Sequence, residues 1–178
     1  MDTTLSNKQI NRLAIPAIIA GVSEPILSLT DAAIVGHITI DPTESLAAVG
    51  IVSSFLSMLI WVLGQSRSAI SAIISKNLGA NKLEQVKTLP AQAIAIIVLL
   101  SIIICCLTIP FSEAIFKFYN ASGPLLNYSV DYFNIRIIGL PFTLYTFAVF
   151  GVFRGLQNTY HPMLIAILGA LVNIFLDL

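Results

Sequence analysis

Five long apolar runs, separated by short polar clusters, organise this chain. A membrane helix needs about 20 predominantly apolar residues to cross the hydrocarbon. The spacing of charges predicts five such segments, near residues 13–38, 46–75, 89–112, 127–155 and 162–178. The third is the clearest, with no charged residue from Thr88 to Ser112; the second is free of charge from Leu46 to Ser66 and the fifth from Gly155 to Leu176. The connections carry turn and cap residues: Asp41-Pro42-Thr43-Glu44, Gly79-Ala80-Asn81, Asn120 to Pro124, and Gln157-Asn158-Thr159 ahead of Pro162. All are short, so the pattern predicts one transmembrane unit over residues 1–178 with no inserted soluble domain. The expected fold class is all-α integral membrane, a polytopic helical bundle.

Composition sharpens this. The chain is 57% hydrophobic and 10% charged, against about 25% charged in an ordinary soluble domain. Nine basic and nine acidic residues cancel, which leaves no basic field for nucleic acid. The two cysteines, Cys105 and Cys106, are adjacent inside an apolar run, a spacing for neither a disulfide framework nor a metal site; they are read as small packing residues. Lys8 and Arg12 precede the first apolar run as in a secretory signal, but Glu24 and Asp31 interrupt that run and no cleavage region follows, so a retained first span is expected.

Orientation follows from the basic residues, which stay on the cytoplasmic side. Lys8 and Arg12 precede the first segment, Lys76, Lys82 and Lys87 flank the second connection, and Arg154 sits at the fourth. The first connection has only Asp41 and Glu44, and the third has only Lys117. The N-terminus is therefore placed in the cytoplasm, with the protein a multi-pass component of the plasma (inner) membrane. The last segment, Pro162 to Leu178, is 17 residues, about 25 Å of helix and short of the roughly 30 Å core. It ends without a closing polar flank, so the sequence is read as truncated.

An ionised side chain near the bilayer centre costs at least a few kcal/mol, which makes intramembrane carboxylates functional candidates. Glu24 and Asp31 are seven apart, on one face of the first helix, and Asn173 and Asp177 are four apart on the fifth. A carboxylate in a low-dielectric cavity has its charged form penalised and can exchange a proton, or it can be neutralised by Na⁺ with an Asn carbonyl as a neutral ligand. A solvated interfacial role for Asp31 or Asp177 and a structural hydrogen bond for Glu24 are the alternatives. Pro16 and Pro25 each remove a helical hydrogen bond and favour bending of the first helix, Pro25 directly after Glu24. Gly21, Gly36, Gly64, Gly139, Gly151 and Gly169 are read as points of close helix approach, and Arg67 and Arg136 as side chains snorkelling to an interface.

Several stretches resemble the multidrug and toxic compound extrusion family of transporters, especially its branch related to DNA-damage-inducible protein F. Pro25 to His37, with Asp31 and Gly36, resembles that family's first helix; Leu46-Ala-Ala-Val-Gly50 the start of its second; and Tyr132 to Phe142, with Arg136, Gly139 and Pro141, its fourth. Phe153-Arg154-Gly155-Leu-Gln157-Asn158-Thr159 with Pro162 resembles its cytoplasmic turn, and Asn173-Ile-Phe-Leu-Asp177 the polar cluster of its fifth helix. The resemblance implies twelve helices in two lobes, this chain supplying the first five, with helix six and the C-terminal lobe in the same or a separate chain. It implies H⁺ or Na⁺ coupling at Asp31, Asn173 and Asp177, helix bending at Pro16, and no cofactor.

The expected function is cation-coupled antiport of small organic or drug-like compounds by alternating access. A lipid-linked flippase of the same superfamily is the rival, although it would need several basic residues in its cavity where this chain has carboxylates. A non-transporting half-length subunit or remnant is the other. Nothing points to an enzyme: no nucleophile is set beside a base, and His37 and His161 both fall at helix ends.

Overall fold

The computed structural model describes residues 7–35 and 42–177. The described residues form eight α-helices: α1 (Asn7–Val35), α2 (Pro42–Gly64), α3 (Ser66–Gly79), α4 (Leu83–Thr108), α5 (Ser112–Phe118), α6 (Gly123–Arg136), α7 (Leu140–Gly155) and α8 (Tyr160–Asp177). No strand occurs among them, as hydrocarbon requires, since a helix satisfies its backbone polar groups within its own segment. Joined across short breaks, three stretches are long and apolar enough to cross a membrane: Thr43–Gly79, Leu83–Phe118 and Gly123–Gly155. Ile10–Val22 and Tyr160–Leu176 are shorter apolar helices.

The breaks have local causes. The expected single segment 46–75 is two helices meeting at Gln65, whose carbonyl accepts from both Ser68 N–H and Ala69 N–H, so the chain tightens without losing its backbone bonds. Pro110 lies in the 3₁₀ turn Ile109–Phe111 between α4 and α5. The expected segment 127–155 is interrupted by a second 3₁₀ turn, Ile137–Gly139. There Pro141 has no N–H to donate to the carbonyl four residues back, that of Ile137. That carbonyl instead accepts from Leu140 N–H within the turn and from the thiol of Cys105, whose Sγ lies 3.3 Å away. Cys105 is thus more than a packing residue; Cys106, beside it, is exposed.

Three connections close the same way. Asn81, Asn120 and Gln157 take left-handed backbone conformations, with φ of 57°, 61° and 59°. Behind each, two N–H groups reach back over the helix end: Lys82 to Asn77 and Asn81 to Leu78, Ala121 to Phe116 and Asn120 to Lys117, Asn158 to Phe153 and Gln157 to Arg154. This is the Schellman motif, which satisfies terminal carbonyls. Asn tolerates the left-handed region better than Gln does.

One core binds α2, α4, α5, α6 and α7 around Val52, Leu56, Cys105, Phe116, Phe133 and Leu144. Its centre is three rings in edge-to-face contact: Phe55, Phe116 and Phe133 stand 5.3–6.3 Å apart, a geometry that adds about 0.5–1.5 kcal/mol per pair beyond area burial. A second, smaller cluster of Ile70, Ile74 and Ala148 joins α3 to α7, with α4 side chains against it. Here the helices nearly touch. A Cβ on Gly151 would lie 2.7 Å from the Arg67 carbonyl oxygen, and one on Gly155 would lie 2.8 Å from Ile74 Cβ. Gly64 similarly admits the ring of Phe147, 3.0 Å from where its Cβ would stand. Gly21, Gly139 and Gly169, expected at close approaches, meet no atom within 4 Å; Gly36 lies outside the described residues. Large apolar side chains also face outward: Phe118 is 85% exposed and Phe175 79%, placements suited to lipid.

Gly151→Ala is expected to force α3 and α7 apart and cost about 1–3 kcal/mol, read as a lowered unfolding midpoint in detergent. Gln157→Gly is expected to relieve its left-handed strain and raise stability by about 0.5–1 kcal/mol, checked by the same melt.

Candidate functional site

The residues singled out from sequence lie on the two helices that pair with each other: α1 packs chiefly against α8. Their starts lie at the same end of the molecule. Lys8, Arg12 and Pro16 of α1 line a cleft of about 790 Å³ together with Gln157, Asn158 and His161 of the turn into α8. Both helices run from that end, and equal rise per residue then puts Asn173, 13 positions past Tyr160, about 20 Å along. On α1 the same rise counted from Arg12 and Pro16, which line that cleft, reaches about residues 25–29, between Glu24 and Asp31.

Asn173 is half-buried, and its side-chain carbonyl Oδ1 is buried with no hydrogen-bond partner. Leaving such an acceptor unpaired costs about 1–3 kcal/mol. A buried, unpaired amide oxygen is the type of hard, neutral donor that a small cation accepts as a ligand. Asn173 and Asp177 stand one turn apart on α8, and Glu24 and Asp31 share α1. The side chains of Glu24, Asp31 and Asp177 lie outside the described residues.

Helix α1 continues through both Pro16 and Pro25. Pro16 is half-buried against the cleft at the helix starts, and Pro25 lines a cavity of about 350 Å³ between α1, α2 and α7. Ser57, Trp61, Gln65, Arg67 and Phe147 also line that second cavity. Gln65 and Arg67 are the polar members sequence reasoning missed as cavity residues; a basic residue within an apolar run was the available signal. Arg67 does not simply reach outward: its guanidinium lies 5.0 Å from the centroid of Phe147 and its Nε is buried. His161, expected at a helix end, is in the first turn of α8, exposed, stacked on Phe153 at 5.7 Å and hydrogen-bonded to the Asn158 side chain. His37 lies outside the described residues.

The structure also gathers the basic residues. Gly155 at the end of α7 abuts Ile74, so Arg154 and the α3–α4 turn, with Lys82, share one end. The cleft at the helix starts brings Lys8 and Arg12 to the α7–α8 turn at that same end. Glu44, in the first turn of α2, belongs to the opposite end.

Long apolar helices, a lipid-suited exterior and polar groups held between helices define a multi-pass helical membrane protein. The MatE family model matches residues 16–178, and the chain belongs to that family. It is 26% identical over 175 residues to DNA damage-inducible protein F of Escherichia coli, covering 98% of this chain and 38% of that protein. It is 25% identical over 173 residues to the probable multidrug resistance protein NorM of Thermotoga maritima, covering 96% of this chain and 36% of that protein. The fold resembles that of a MOP superfamily transporter from Pyrococcus furiosus, with a TM-score of 0.87 at 25% identity over 96% of this chain and 37% of that one. The chain thus spans little more than a third of the length of these relatives.

If the Asn173 oxygen is unpaired as described, Asn173→Leu leaves folding stability unchanged or raises it, by up to about 1–3 kcal/mol. A lowered unfolding midpoint of the purified variant would mean that the oxygen was paired.

Proposed function

We propose that the protein carrying this chain is an H⁺- or Na⁺-coupled antiporter that exports small organic compounds by alternating access. The chain then supplies the first five helices of the N-terminal lobe, and further helices, in the same or a separate chain, supply the rest of a two-lobed cavity. The observation that carries this reading is the buried, unpaired Asn173 oxygen on α8, the helix paired with α1. A cation or proton held by Asp31, Asn173 and Asp177 favours one packing of α1 against α8. Substrate favours the other, and the difference in affinity between the two states drives exchange. Glu24 extends the polar face of α1, and Pro16 and Pro25 supply the positions at which α1 bends.

The relatives support the class: one is described as a probable multidrug resistance protein and another as a MOP superfamily transporter. The collection of Lys8, Arg12, Lys82 and Arg154 at one end supports placing that end, and the N-terminus, in the cytoplasm of an inner-membrane protein.

Asp31→Asn in the whole protein is expected to abolish cation-driven efflux of a fluorescent organic cation from vesicles, with membrane insertion retained. Comparing an imposed pH gradient with an imposed Na⁺ gradient identifies the coupling ion. Wild-type efflux by this variant under both gradients would remove Asp31 from the mechanism.

A further inference from the structure

The α3–α7 contact holds a feature that cation coupling does not use. Arg67 of α3 and Arg154 of α7 line one cleft of about 250 Å³, with Ser68, Ser71 and Ala72 completing it. Both arginines are half-buried, and the Nε of each is buried with no hydrogen-bond partner. Neither joins the ion pairs of Lys87 with Glu84 and Lys117 with Glu113. Among the described residues no carboxylate lines the cleft. Two half-buried guanidiniums facing one space without a counter-charge are an expensive arrangement, because burial weakens their hydration while like charges repel.

From this we propose that the cleft between Arg67 and Arg154 binds a phosphate group, either free phosphate or the headgroup of an acidic phospholipid. Guanidinium presents its N–H groups as a planar fork matched to phosphate oxygens. Two forks from different helices, with the hydroxyls of Ser68 and Ser71, supply donors and no acceptor charge. The Arg67 fork and the spacing of the two helices are set in advance. Phe147 lies under the Arg67 guanidinium at 5.0 Å, and the absence of a Cβ at Gly151 lets α7 lie against the Arg67 backbone. The location suits a phosphate at the membrane surface. Arg154 is one residue from the end of α7, and Ser71 is two turns from the end of α3, about 12 Å in. That is the end where Lys82 and the N-terminal basic residues also gather.

The test uses the whole purified protein that carries this chain, in phosphatidylcholine nanodiscs, with its unfolding midpoint read in two arms: inorganic phosphate titrated against chloride at fixed ionic strength, and phosphatidylglycerol substituted for part of the lipid. The expected result is a rise in midpoint in at least one arm. Arg67→Gln and Arg154→Gln each raise the half-saturating concentration about tenfold or more; Lys87→Gln, which removes an exposed charge near the same end, does not. A response to inorganic phosphate identifies free phosphate as sufficient, and a response to phosphatidylglycerol alone identifies the headgroup. Should the Gln variants fail to fold, Arg154→Lys carries the test: it keeps the charge but loses the fork, and is expected to weaken binding. No response in either arm, a loss equal in Lys87→Gln, or wild-type binding by Arg154→Lys would overturn the proposal. An equal response to acetate would also overturn it and point to an acidic peptide segment as the partner.

Discussion

The described helices answer to one constraint: within hydrocarbon no water is at hand to pair with a backbone N–H or carbonyl. The helices meet it by default, and the interruptions show how strictly it is kept. Where Pro141 withdraws a donor, a 3₁₀ turn and the Cys105 thiol take its place at Ile137. Where the chain tightens at Gln65, one carbonyl serves two N–H groups. At three helix ends a left-handed residue is accepted, at a steric cost, because it lets two N–H groups fold back onto terminal carbonyls.

Once the backbone is satisfied, the shape of the bundle is decided by what stands between helices, and its two ends are built differently. The aromatic core of Phe55, Phe116 and Phe133 holds α2, α5 and α6 through large side chains. The α3–α7 contact does the opposite, bringing main chain to main chain at Gly151 and Gly155. In lipid, where burying apolar surface between helices brings no gain over contact with acyl chains, such close approach is a chief source of association. It also fixes the spacing of Arg67 and Arg154, so a packing decision becomes an electrostatic one.

Much of this was legible in sequence. The helical membrane class followed from charge-free runs, and the turns at Asn81, Asn120 and Gln157 from polar clusters between them. The break at Pro141 had a visible cause; the one at Gln65 had none, since a Gln in an apolar run carries no turn signal. Glycines could be counted but not sorted: Gly151 and Gly64 meet a neighbour and Gly21 and Gly169 do not, a difference that depends on which face of each helix a neighbour occupies. For the candidate site, residue types and helical spacing indicated α1 and α8 as carriers. That these two helices pair, and that the Asn173 oxygen is buried without a partner, are properties of tertiary arrangement that no local pattern encodes.

The pairing of α1 with α8 has a mechanical side. Among the described residues these two helices contact each other far more than they contact α2 or α7, so they form a couple leaning on a larger, separately braced block. Among the described residues, little interlocking must be undone for the couple to tilt as one piece against that block.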